Sequence, residues 1–77
     1  MKATVYVRLK SEVLDPQGEA VRKALGGMGI EVGAVRIGRL IEIELPDTDR
    51  EAARARLAKA ADELLANPVI EDYEVAL

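Results

Sequence analysis

An α+β fold, with four antiparallel strands and two helices on one face of the sheet, is the architecture that this 77-residue sequence predicts. Three observations carry it. Segments of strict period-two alternation occur near both ends and in the middle of the chain. Two stretches of helical apolar periodicity separate them, each opened by a capping signal. Gly and Pro punctuate the junctions, and the resulting order is β-α-β-β-α-β.

The first strand runs from Ala3 to Lys10. Ala3, Val5, Val7 and Leu9 point one way, and Thr4, Tyr6, Arg8 and Lys10 the other. Asp15-Pro16 opens the first helix: the Asp carboxylate accepts an orphan N–H at the N-cap, and Pro at N1 lacks a donor that would go unpaired. This helix extends to about Met28, with Ala20, Val21, Ala24, Leu25 and Met28 on the face expected to be buried and a Glu19–Lys23 pair outside. Gly26, Gly27 and Gly29 weaken its end, and Gly27 or Gly29 is expected in the left-handed conformation that closes a helix. Residues 30–37 read as a second strand, interruptible at Gly33, with Val35 and Ile37 inward. Gly38-Arg39 then suggests a tight type II′ turn, followed by a third strand over 40–45 with Ile41, Ile43 and Leu45 inward. Thr48 and Glu51 match a capping box. The second helix is expected to reach about Ala66, burying Ala53, Leu57, Ala60, Ala61 and Leu64, and Asn67-Pro68 stops it. The last strand is placed at Tyr73 to Ala76. Two helices on one face of a four-stranded sheet in this order make the split-βαβ, ferredoxin-like arrangement, as one domain over residues 1–77. Its other face carries Thr4, Tyr6, Arg8, Glu42 and Glu44, with Arg8 or Arg36 as the expected partner of the two acids.

Composition narrows the function. The chain has neither His nor Cys, the side chains that carry most acid–base, nucleophilic and metal-ligand chemistry near neutral pH. A net charge of −3 and two aromatic residues, Tyr6 and Tyr73, argue against nucleic-acid binding. No apolar run approaches the ~20 residues of a membrane span, and Met1-Lys2 leads straight into a strand pattern, so a cytoplasmic protein is expected. A chain this short, without disulfides and with an aliphatic core, gains buried surface by self-association.

Candidate sites are few. Glu42 and Glu44 read as a solvated strand face. The Gly26-Gly27-Met28-Gly29 run follows a helix, whereas phosphate-cradling loops precede one. Asp15-Pro16-Gln17-Gly18 does precede a helix, but its carboxylate occupies the anion-friendly end. Arg36-Ile37-Gly38-Arg39 is a small basic tip, suited to an ordinary turn or to an anionic partner. The tail Asn67-Pro68-Val69-Ile70-Glu71-Asp72-Tyr73 reads equally as a plain edge strand or as an interface with a Tyr anchor and a polar rim.

Three runs, Val13-Leu14-Asp15-Pro16-Gln17-Gly18, Val35-Arg36-Ile37-Gly38-Arg39 and Leu64-Leu65-Ala66-Asn67-Pro68-Val69-Ile70-Glu71-Asp72-Tyr73, occur in order along essentially the whole chain. Together they resemble the PurS subunits of phosphoribosylformylglycinamidine synthase, with Arg39 standing where the family commonly has Lys. The resemblance implies a non-catalytic subunit without cofactor or metal of its own. It would self-associate as a dimer or tetramer and dock a glutaminase subunit on an ATP-dependent synthetase subunit. Ammonia from glutamine would then reach formylglycinamide ribonucleotide, with ATP, Mg and glutamine used by the partner subunits. It also implies interface positions where the motifs match: Arg36, Gly38, Arg39, Asn67, Glu71, Asp72 and Tyr73. Two other readings are a small-molecule-sensing module of ferredoxin-like fold and a small enzyme using Asp15, Glu42 or Lys10.

Overall fold

The structure is a computed structural model and describes residues 1–46 and 49–77. β1 (Lys2–Leu9) lies at the centre of a three-stranded antiparallel sheet, between β2 (Gly38–Glu44) and β3 (Glu71–Ala76). Val5 pairs with Ile41 on one side and Val75 on the other. Since alternate residues share a face, Ala3, Val5 and Val7 join Ile41, Ile43, Tyr73 and Val75 on the inner side. Thr4, Tyr6, Arg8, Glu42, Glu44, Asp72 and Glu74 occupy the outer side. Glu42 pairs with Lys2 at 3.3 Å, and Arg8, one of its two expected partners, pairs with Glu74 of β3 at 3.7 Å instead.

Helix α1 (Pro16–Gly27) starts as the sequence predicts. Asp15 is its N-cap and accepts the Gly18 N–H, Pro16 opens the first turn, and Gly29 takes the positive φ of 82° just beyond Met28. Its outer pair is Glu19 with Arg22 one turn on, rather than with Lys23. The expected burial of α1 fails. Gly18 is its only buried residue, and Val21 and Met28 are 38% and 72% exposed. α1 makes little contact with the sheet, and the second helix with its continuation covers it.

That helix is α2 (Arg50–Ala60), capped by the Asp49 carboxylate on the Glu51 and Ala52 N–H groups. The expected cap at Thr48 lies outside the described residues. α2 continues into a π-helical turn, Ala61–Leu65, closed by Ala66 N–H to Ala61 O at 2.9 Å. Ala53, Leu57, Ala61 and Ala66 are buried, and with Val5 and Val7 they form the core. The wider turn shifts the helical phase, so Leu65 packs on the core while Leu64 is 81% exposed. A regular 3.6-residue period places Leu64 inside instead.

Two further expectations are corrected. Residues 30–37 make no strand, and no hairpin turn exists at Gly38-Arg39, because both residues lie within β2. The reason is local. The segment before β2 is held by the start of α1: Ile37 N–H donates to Asp15 Oδ2 at 2.8 Å, and Arg36 Nη2 donates to the carbonyls of Lys10 and Val13 at 2.9 Å each. A chain tied there runs on into β2 instead of turning back along its edge. At the other end, β3 begins at Glu71, two residues before the expected Tyr73.

Candidate assembly interface

The residues singled out in the tip and the tail converge at one end of the sheet, although 28 or more positions separate them in sequence. Gly38 faces Arg8 in the β1–β2 register. A Cβ at Gly38 would come within 2.6 Å of the Val7 carbonyl oxygen, so the close approach of the strands there requires glycine. The next residue, Arg39, spans from β2 to the tail. Its Nη1 donates to Glu71 Oε2 at 2.9 Å, and its Nη2 donates to Leu65 O at 2.6 Å and Glu71 Oε1 at 3.3 Å. This forked guanidinium holds the carboxylate and a carbonyl of the π turn together.

Glu71 in turn closes the turn at Asn67. Its Oε1 accepts the Asn67 N–H at 2.7 Å, while Asn67 O accepts the N–H groups of Ile70 and Glu71. Asn67 Oδ1 accepts the Val69 N–H at 3.1 Å, a side-chain turn that fixes the loop after the helix. The Lys10 N–H donates to Ile70 O at 2.8 Å and ties the loop to the end of β1. The N–H of Asn67, followed by the Arg39 guanidinium, holds the Glu71 carboxyl below the usual carboxylate range.

Five of the seven candidate residues therefore make in-chain contacts that shape this end of the molecule: Arg36, Gly38, Arg39, Asn67 and Glu71. The other two differ. Asp72 is exposed on the outer face opposite Arg8. Tyr73 is half-buried on the inner face, and burial, then the charge of Asp62 and a hydrogen bond with it, push its phenol up. Lys10, Asp62, Pro68, Asp72 and Tyr73 line a shallow groove of about 340 Å³. Two apolar side chains of the same stretch of chain are open to solvent, Leu64 at 81% and Val69 at 78% exposure. Leu64 is expected inside from its helical spacing, because nothing in Ala61-Asp62-Glu63-Leu64-Leu65 announces a π turn. The cap role of Asp15 is written in the sequence; the role of its second oxygen, which accepts the Ile37 N–H, depends on a contact across 22 residues.

In chemical terms these pairings keep carboxylates ionised. Asp15 is lowered by the Ile37 and Gly18 N–H groups, with Arg36 adding a smaller effect. Neither Asp15 nor Glu71 is raised toward neutrality, as a general acid would need. Among the described residues no group of three or more acidic side chains is placed to hold a metal ion.

A family model described as PurS, phosphoribosylformylglycinamidine (FGAM) synthase, matches residues 2–77. This chain belongs to the PurS family. The Bacillus subtilis phosphoribosylformylglycinamidine synthase subunit PurS is 48% identical over 73 residues, covering 94% of this chain and 86% of that protein. The crystal structure of the Thermotoga maritima purS subunit superposes with a TM-score of 0.90 at 38% identity, covering 97% of this chain and 87% of that one. A chain in the structure of PurLQS from Thermotoga maritima superposes with a TM-score of 0.89 at 38% identity, covering 97% and 93%. The PurS family thus shares this α+β arrangement over nearly its whole length.

Proposed function

We propose that this chain is the non-catalytic assembly subunit of phosphoribosylformylglycinamidine synthase. It joins the glutaminase subunit to the ATP-dependent synthetase subunit, so that ammonia released from glutamine reaches formylglycinamide ribonucleotide. The observation that carries this reading is the near full-length match to a chain of the PurLQS structure. ATP, Mg and glutamine are then handled by the partners, in the cytoplasm. No helix among the described residues is long and apolar enough to cross a membrane. The family assignment lends no support to the ligand-sensing alternative.

The physical need for such a subunit is clear. Ammonia in neutral water is mostly ammonium, and only the unprotonated form attacks an activated carbon. Two sites held together and shielded from bulk water preserve the nucleophile. In this reading Arg39, Glu71 and Asn67 set the shape of the docking end, and Leu64, Val69, Asp72 and Tyr73 are the groups it offers a partner: apolar contacts ringed by polar ones. Self-association belongs to the same reading, because the core is small: Val5 and Val7 are its largest fully buried side chains.

Reconstitution tests the proposal. The chain is mixed with the glutaminase and synthetase subunits of the same organism, and product formation from glutamine and from added ammonium is measured with and without it. The expected result is that glutamine-dependent turnover requires the chain and ammonia-dependent turnover does not. Equal rates with and without it, and no co-elution of the three proteins, would sink the assignment.

A further inference from the structure

We infer that a cleft on the outer face of the sheet, bordered by Arg8 and Arg36, docks an acidic segment of a partner subunit. A carboxylate of that segment meets the two guanidiniums, and an apolar side chain next to it meets Tyr6, Ile37 and Leu40. The inference rests on the assembly role proposed above and gives that role a second surface. A subunit that joins two different proteins has to tell them apart, and opposite charge does so. The groove at the tail is acidic: three acids, Asp62, Glu71 and Asp72, line it against one Lys10. The cleft has the opposite character.

Strand register builds the cleft. Tyr6 and Arg8 point outward from β1, and Leu40 and Gly38 stand opposite them in β2. Gly38 has no side chain to fill the space beside Arg8, where a Cβ would lie 3.4 Å from Arg8 Cγ. A space of about 280 Å³ is left open there, and no acidic residue lines it. Leu40 is 56% exposed and Ile37 37% exposed, which puts apolar surface beside the two arginines. The acids begin on the other flank of Arg8, with Asp72 opposite it in β3 and Glu74 paired to it.

Both arginines are held in place and keep donors to spare. Arg36 Nη2 donates to the carbonyls of Lys10 and Val13, which fixes the guanidinium and leaves Nε and Nη1 for a ligand. Arg8 lies over the Tyr6 ring, 5.8 Å from its centroid. Its ion pair with Glu74 is 3.7 Å long, beyond hydrogen-bond distance, between side chains 62% and 64% exposed. An exposed pair of that kind contributes little, so Arg8 is free to turn its fork to an incoming carboxylate.

Arg39 also borders the cleft, but its guanidinium is committed to Glu71 and Leu65 O. Arg8, Arg36, Ile37, Gly38 and Leu40 are all exposed. Such a cleft does not enclose a small ligand, as small-molecule sites do. It suits a carboxylate carried on a larger surface, which excludes water as it closes over the arginines. Arginine clusters read acidic motifs in this way.

Charge reversal tests the cleft. Arg8→Glu is compared with Lys59→Glu, the same change in net charge at an exposed position of α2. Each is titrated into the glutaminase and the synthetase subunits, separately and together, and binding is followed by sedimentation. Arg8→Glu is expected to weaken binding to one partner by about tenfold or more, with Lys59→Glu like the parent. Binding of the parent should also weaken as salt is raised from about 50 to 500 mM. Arg8→Glu that binds like the parent, or an equal loss from Lys59→Glu, would overturn the cleft and leave the assembly role standing. A parent chain that binds neither subunit would remove both. Arg8→Gln guards against a folding defect: it is expected to lose affinity with the parent's far-ultraviolet spectrum and the parent's own sedimentation. Full binding by this variant, or a loss that tracks a change in its self-association, counts against the cleft. Inorganic phosphate probes the other source of an anion. A thermal midpoint that phosphate raises in the parent and not in Arg8→Gln, with partner binding unaffected, would make the cleft a free-anion site and overturn the docking.

Discussion

At the scale of single residues, the least tolerant positions are those where backbone meets backbone. Gly18 packs against the Val35 carbonyl so closely that Gly18→Ala must push the segment off the helix start. Helix propensity alone would favour Ala at this position. The tertiary clash is expected to win and to cost about 1–3 kcal/mol, read as a lowered urea midpoint with little change in slope; a more stable variant would refute the contact. Asp15 and Glu71 give a pH dependence whose sign follows from their lowered pKa values. Their folded forms hold protons less tightly than the ordinary values of 3.8 and 4.5. Their contribution is therefore fully present above those values and is lost as pH falls through the lower folded ones. Thermal midpoints are expected to be flat from pH 7 to 5 and to fall below it. For Asp15→Asn, the deficit against the parent should shrink as pH drops below 3.8; a constant deficit would assign the effect to packing.

Among the elements, α2 and its π turn decide which leucines matter. Leu57 is 5% exposed in the core and Leu64 is 81% exposed, although the two lie on one helical stripe in the sequence. Leu57→Ala is expected to cost about 2–5 kcal/mol, while Leu64→Ala should change stability by less than about 0.5 kcal/mol. If Leu64 is a docking contact, the second substitution should instead weaken co-elution with the partner subunits. Chemical denaturation and size-exclusion chromatography separate the two effects, and equal destabilisation would mean that Leu64 is buried in solution. Arg39 shows the converse limit of reading a motif. Its charge and position were apparent in the sequence as a basic tip, but its partners, Glu71 and Leu65 O, lie 32 and 26 residues away.

For the whole molecule, α1 leaves Val21 and Met28 open to solvent. A chain whose helix lies open must gain by association, and anything that binds only the folded form raises its melting temperature with concentration. The thermal midpoint is expected to rise as protein concentration is raised from about 1 to 100 μM, by several degrees. A midpoint independent of concentration would indicate that the single chain is stable by itself.

The sequence by itself determined the local grammar: the alternation of β1 and β2, the Asp15-Pro16 start of α1, a glycine exit at Gly27 or Gly29, the stop at Asn67-Pro68 and the family motifs. Each depends on neighbours within a few residues, where φ/ψ preference and side-chain period are written directly in the chain. The tertiary structure alone decided that residues 30–37 stay out of the sheet, that Leu64 faces water, and that Arg39 of the tip grips Glu71 of the tail. Those outcomes depend on hydrogen bonds between groups 22 to 32 positions apart, on a glycine packed against a distant carbonyl, and on one wide helical turn that resets the phase of everything after it. Local pattern sets what a segment can form; long-range contact selects whether it has a partner to form it with.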